Sequence, residues 1–155
     1  MKAISLWQPW ASAISLGAKR IETRSWSTSY RGPIAIHAAK RKVKRELAAL
    51  TWENWVHAVF GSWLYSLEDL PFGAFLATAD LVDCLPVREI DEDLLWRRYG
   101  EEAPGFGEEC FEIAMGNYSP GRFGWILENI RPLPEPIPYR GRQGLWTVPK
   151  GVLPI

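Results

Sequence analysis

At 155 residues, with 47% hydrophobic and 23% charged side chains, the chain has the composition of one soluble globular domain able to bury a core without staples. Its 18 basic and 18 acidic side chains cancel, so the overall positive charge that marks a dedicated nucleic-acid binder is missing. Two cysteines, Cys84 and Cys110, exclude a disulfide framework, and neither they nor His37 and His57 have metal-ligand spacing. No metal and no cofactor are therefore expected. The N-terminus faintly imitates a signal peptide, but Gln8-Pro9 and two bulky Trp argue against one. No segment approaches the roughly 20 apolar residues of a membrane span. The expectation is a cytoplasmic, soluble protein with no membrane partner.

The elements follow from local pattern. Ala3 to Trp7 reads as a short strand, and Pro9 opens a compact helix over 9–16 that Gly17 ends. Residues 19–26 alternate, with Ile21 and Thr23 on one face and Arg20, Glu22 and Arg24 on the other. Tyr30-Arg31-Gly32-Pro33 turns the chain into a buried strand, Ile34 to Ala38. Residues 43–64 carry Leu47, Leu50, Trp52, Trp55, Val56, Val59, Phe60 and Trp63 at helical spacing, which predicts one helix or a broken pair.

Gly73 to Leu85 is the longest strand candidate, and Asp91 caps a helix over 92–99. Residues 100–122, rich in Gly, Pro and Glu, read as a loop with a turn of helix near Phe111. Phe123 to Ile130 is a further strand. The alternate prolines of 131–138 predict an extended polyproline-like connector, barred from a central strand because each Pro lacks a donor. Residues 144–148 form a short closing strand. Five or six short strands with helices inserted between them make an α+β protein whose sheet closes into a small barrel, and nothing divides residues 1–155 into two domains.

The neutral total hides a sorted chain. Residues 19–45 hold Lys19, Arg20, Arg24, Arg31, Lys40, Arg41, Lys42, Lys44 and Arg45 against Glu22 alone, whereas residues 89–112 are acidic. Trp7, Gln8 and Trp10 stand just ahead of this basic region. Aromatic faces stack on planar ligands, cations neutralise phosphate and a carboxylate orients a proton. Each residue also has a plainer use. Trp7 and Trp10 serve as core packing, Gln8 as a cap or turn partner, and Lys19 as a cation at a helix exit. Arg31 serves as a solvated turn residue, and His37 as a satisfied core or edge histidine. Lys40, Arg41, Lys42 and Lys44 sit where a helix would start, and cations there oppose the helix dipole. That misfit favours an anionic partner over a merely solvated face.

The order Leu6-Trp7-Gln8-Pro9-Trp10-Ala11, then Gly17-Ala18-Lys19-Arg20-Ile21-Glu22-Thr23-Arg24-Ser25-Trp26, then Tyr30-Arg31-Gly32-Pro33-Ile34-Ala35-Ile36-His37-Ala38 resembles the ASCH domain. The likeness continues through Gly73 to Asp83 and Phe123 to Asn129, and so covers most of the chain as a single ASCH domain over 1–155. It implies a PUA-like β-barrel, in agreement with the barrel reached from the strands. ASCH domains are regarded chiefly as RNA- or nucleic-acid-binding modules, while some members are amidohydrolases that remove an acyl group from cytidine N4, or ribonucleases.

The first expectation is therefore a nucleic-acid-binding module, for RNA foremost, with a cleft for a base or modified nucleoside. Its binding residues would be Trp7, Gln8, Trp10, Arg24, Arg31, Lys40, Arg41, Lys42 and Lys44. The alternative is a metal-independent hydrolase acting on N4-acylated cytidine-type nucleosides, or a ribonuclease. Glu22 would then be the general base, and Lys19 the oxyanion or proton-moving group. The resembling hydrolases carry Thr three residues after the Lys, where this chain has Glu22, and Thr23 would point to the opposite face. That departure ranks binding ahead of catalysis. A protein-interaction role for the 131–138 prolines ranks behind both.

Overall fold

A computed structural model describes residues 1–41, 55–61, 66–100 and 111–154. Six strands form one sheet in the order β2-β5-β4-β3-β1-β6. They are β1 (Lys2–Leu6), β2 (Ile21–Arg24), β3 (Gly32–Ala38), β4 (Ala74–Pro86), β5 (Phe123–Pro138) and β6 (Leu145–Thr147). All neighbours are antiparallel except β1 and β3, which run parallel with Ser5 opposite His37. A parallel pair needs a crossover, and helix α1 (Trp10–Ser15) and β2 lie within it. One register shift between β3 and β4 and three between β4 and β5 bend the long strands, since each irregularity adds local twist. The sheet curls into a half-barrel of six strands, the form taken here by the small barrel of five or six strands expected from the pattern.

Both faces of the central strands are covered, which is why Ile34 to Ala38 reads as an unbroken apolar run rather than an alternation. On one face Ile4, Leu6, Ile34, Ile36 and Leu81 meet Ala11 and Ile14 of α1. On the other, Ala3, Ala35 and Phe75 pack beneath Trp146, Val148 and Leu153. Helix α1 starts after Pro9, and Gly17 leaves it with φ +76, the left-handed exit that a side chain resists.

The remaining helices are short: α2 (His57–Phe60), α3 (Glu92–Tyr99) and α4 (Phe111–Ala114). Asp91 caps α3, its carboxylate accepting from the Leu94 amide at 2.8 Å. Of the helix expected over 43–64, only 55–61 falls within the described residues, where Trp55, Val56 and Phe60 pack with Ala13, Leu70 and Met115. The loop expected over 100–122 likewise falls outside the described residues at 101–110.

The proline segment requires a correction. Residues 131–138 are the second half of β5, paired with β4 through Ala77 opposite Pro132 and Phe75 opposite Ile137. They are not a free connector. Strand β2 covers only Phe123–Ile126 of β5, so the proline half is an edge where a missing N–H breaks no second ladder. Leu133 and Ile137 lie against the Phe75 cluster, and this packing draws the segment onto the sheet.

Candidate ligand cleft

The residues just beyond β1, β3 and β5 meet at one end of the sheet. There they enclose a cleft of about 840 Å³, lined by Ser5, Trp7, Arg24, His37, Ala39, Lys40, Phe72, Gly73 and the run Tyr139 to Gly144. Strand parity explains the floor. Ser5 and His37 are paired neighbours on parallel strands and project to one face, with Trp7 and Ala39 two residues further on. The wall is the segment that follows β5. The Tyr139 amide donates to the Gly73 carbonyl at 2.9 Å, and the Tyr139 ring stacks against Trp146.

Among the described residues, four lining side chains are cationic, Arg24, Lys40, Arg140 and Arg142, and no carboxylate lines the cleft with them. The Arg24 guanidinium donates from Nη2 to the Ser5 carbonyl at 3.0 Å, while Glu22 Oε1 stands 3.2 Å from its Nε. This pairing fixes Arg24 across the end of β1. Trp7 is 50% exposed, unusually open for so large an apolar side chain, and the Arg41 guanidinium stands 4.9 Å from its ring centroid. The indole therefore offers a stacking face beside a concentration of positive charge.

His37 is buried in the floor, edge-on to Phe75 and Trp146. Its Nε2 is 3.0 Å from the Tyr139 carbonyl, which only accepts, so Nε2 carries the proton and Nδ1 is an acceptor. Burial holds the imidazole below its ordinary pKa, partly offset by that carbonyl. At neutral pH the ring is uncharged.

The expected site residues divide. Trp7, Arg24 and Lys40 line the cleft, Arg41 leans on Trp7, and Glu22 touches the cleft through Arg24. Lys42 and Lys44 lie outside the described residues. The rest face elsewhere. Lys19 was expected on one pocket face with Glu22 and Arg24, but it precedes β2 and is 1% exposed. Its ammonium donates to the Ile21 carbonyl and lies 3.7 Å from Glu112 Oε1. That carboxylate also accepts from the Arg20 and Ile21 amides, at 2.7 and 2.9 Å. Burial pushes Glu112 upward in pKa, while Lys19 and the two amides pull it back.

Gln8 is fully buried as a turn partner. Its Nε2 donates to Ser12 Oγ and the Pro71 carbonyl, and its Oε1 accepts from the Ser12 amide. Trp10 packs against Trp55. Arg31 bonds the Thr28 and Tyr30 carbonyls and pairs with Asp83 at 3.1 Å. Each of these four has its polar or apolar needs met within the fold, away from the cleft.

Sequence reasoning missed the cleft wall. Tyr139-Arg140-Gly141-Arg142-Gln143-Gly144 places two arginines on either side of a glycine just before the closing strand, and that spacing was the available signal. Among the described residues, no group of three or more His, Cys, Asp or Glu is arranged to hold a metal ion, and no helix is long and apolar enough to cross a membrane.

The family model of the ASCH domain matches residues 4–135. The chain belongs to the ASCH domain family. It is 30% identical over 144 residues to activating signal cointegrator 1 of Homo sapiens, and 29% identical to the protein of that name in Mus musculus. Each match covers 92% of the ASCH chain and 21% of the relative, so the chain spans about a fifth of these curated relatives. In fold the ASCH chain is similar to the crystal structure of ASCH from Zymomonas mobilis. The TM-score is 0.51 at 21% identity, covering 97% of this chain and 89% of that one. That likeness shows the fold that the two chains share.

Proposed function

We propose that the ASCH chain binds nucleic acid, RNA foremost, by taking a base onto Trp7 and the adjoining phosphates onto Arg24, Lys40, Arg140 and Arg142. One observation carries this reading. A half-exposed indole and four cations line a single cleft to which no carboxylate among the described residues is added. Aromatic stacking tolerates any base, and guanidinium and ammonium groups neutralise the backbone; together they are the usual means of holding a single strand. Membership of a family regarded chiefly as RNA-binding supports the same reading. The cleft has the volume of a nucleoside pocket, about 840 Å³ against the 300–1,000 Å³ typical of ligand sites. A free modified nucleoside is thus a ligand of the same class.

Binding requires neither Lys19 nor Glu22 to touch the ligand. Lys19 pairs with Glu112 and Glu22 with Arg24, which supports binding ahead of hydrolysis in this reading. The test is anisotropy of a labelled single-stranded RNA titrated with the unmodified protein and with Trp7→Ala. Loss of one stacked base costs about 1–3 kcal/mol, so the substitution is expected to weaken binding at least fivefold or so. Equal affinity for the two proteins would remove Trp7 from the account.

A further inference from the structure

Among the described residues, and apart from Arg24 Nε with the Glu22 carboxylate beside it, two buried polar atoms on cleft-lining side chains have no hydrogen-bond partner, Ser5 Oγ and His37 Nδ1. They stand together because Ser5 and His37 are paired across parallel strands. Both also converge on one point, since a Cβ built on Gly141 would lie 2.7 Å from each. A side chain at 141 would collide with both atoms and with His37 Cε1, so only glycine lets the cleft wall lie against this part of the floor. Buried polar groups are nearly always paired, because an unpaired one forfeits its hydration without return. Two such atoms at one place in a cleft mark where a ligand completes the set.

Their chemistry specifies the ligand group. Nδ1 accepts only, because Nε2 carries the proton towards the Tyr139 carbonyl. The Ser5 hydroxyl donates or accepts. A phosphate offers acceptors alone, which suits the arginines of the wall and not Nδ1. The complement is an N–H beside a carbonyl oxygen or ring nitrogen, which is the hydrogen-bonding edge of a nucleobase. We propose that Ser5 and His37 read the edge of a base held beside Trp7, the imidazole accepting its N–H and the hydroxyl donating to the neighbouring acceptor. This rests on the nucleic-acid reading above and adds that the cleft recognises base edge as well as charge and stacking.

The experiment compares a single-stranded oligouridylate with the same oligomer built from 3-methyluridine, which lacks the N3–H. The unmodified protein is expected to bind the unmethylated oligomer about fivefold tighter, the worth of one net hydrogen bond. In His37→Gln that ratio falls towards one, because the unmethylated oligomer loses a contact the methylated one never had, whereas Ser5→Ala removes the donor to the neighbouring carbonyl and weakens the unmethylated oligomer about fivefold. Glutamine keeps a donor for the Tyr139 carbonyl but places no acceptor at the Nδ1 position. Ser5→Ala removes a single oxygen and, if His37→Gln does not fold, carries the test through that loss of affinity. A ratio near one in the unmodified protein, a ratio that survives His37→Gln, or unchanged affinity in Ser5→Ala overturns the base-edge assignment while leaving RNA binding intact. Failure of both oligomers to bind overturns the nucleic-acid reading itself.

Discussion

His37 couples the cleft to pH through stability. Its imidazole is buried and its pKa is held below the ordinary value near 6.5, so the folded protein binds fewer protons than the unfolded chain just below that pH. The stabilising contribution is complete above the unfolded pKa and is lost as pH falls through the folded one. Urea unfolding between about pH 8 and pH 5 is expected to show this loss in the unmodified protein and a shallower one in His37→Gln. Parallel stability curves for the two proteins would contradict the burial argument. The comparison isolates His37 from Glu112, whose raised pKa acts in the opposite sense.

The same residue shows what a sequence withholds. His37 is readable as the end of an apolar strand, and it is buried as a core histidine would be. Its neighbour Ser5 is visible only once β1 and β3 are known to run parallel in their observed register. Trp7 and Arg24 were legible because an exposed-type cation and an aromatic share one short motif. Gln8 was legible only as a choice between base reader and turn partner, and its bond to the Pro71 carbonyl, 63 residues away, is what decides its contacts here.

At the scale of elements, Glu112 ties α4 to the entrance of β2. Its carboxylate takes two backbone amides and a buried ammonium, and is itself 1% exposed. Removing one partner of a buried pair leaves the other charge without compensation, at about 3–5 kcal/mol. Glu112→Gln is therefore expected to destabilise the fold by about 3 kcal/mol in chemical denaturation. The double substitution with Lys19→Met recovers part of that loss, because the stranded charge goes with it. Equal destabilisation by the single and double variants would contradict the pairing.

The strands whose apolar pattern settled their length were readable: β1, β3 and β4 lie within a residue or two of expectation, as does α3 behind its Asp91 cap. The proline half of β5 was not readable as strand. A donor-free run is excluded from the middle of a sheet, yet an edge position with one neighbour admits it, and the edge is set by the short reach of β2. The Lys19–Glu112 tie was hidden for a related reason. Its partner arrives from a segment some 92 residues beyond Arg20, and no local spacing announces it.

For the whole molecule, the charge total misleads and the distribution informs. A chain with 18 positive and 18 negative side chains gathers four of the positive ones around one cleft. The basic cluster at 40–45 was expected to carry that role, but the described part of it contributes Lys40 and Arg41, and Arg140 and Arg142 join from the far end of the sequence. Backbone neutralisation releases counterions, so affinity should fall with salt on a logarithmic slope of about 0.7 per phosphate contact for a single strand.

The most direct measurement is RNA affinity across about 50–200 mM salt for the unmodified protein and for Arg140→Glu with Arg142→Glu. The unmodified protein is expected to lose affinity steeply over that range. The double variant should bind more weakly at low salt, with a slope reduced by about one to one and a half. Salt-insensitive binding, or a slope and affinity unchanged by reversing both arginines, would contradict the cleft as the nucleic-acid site.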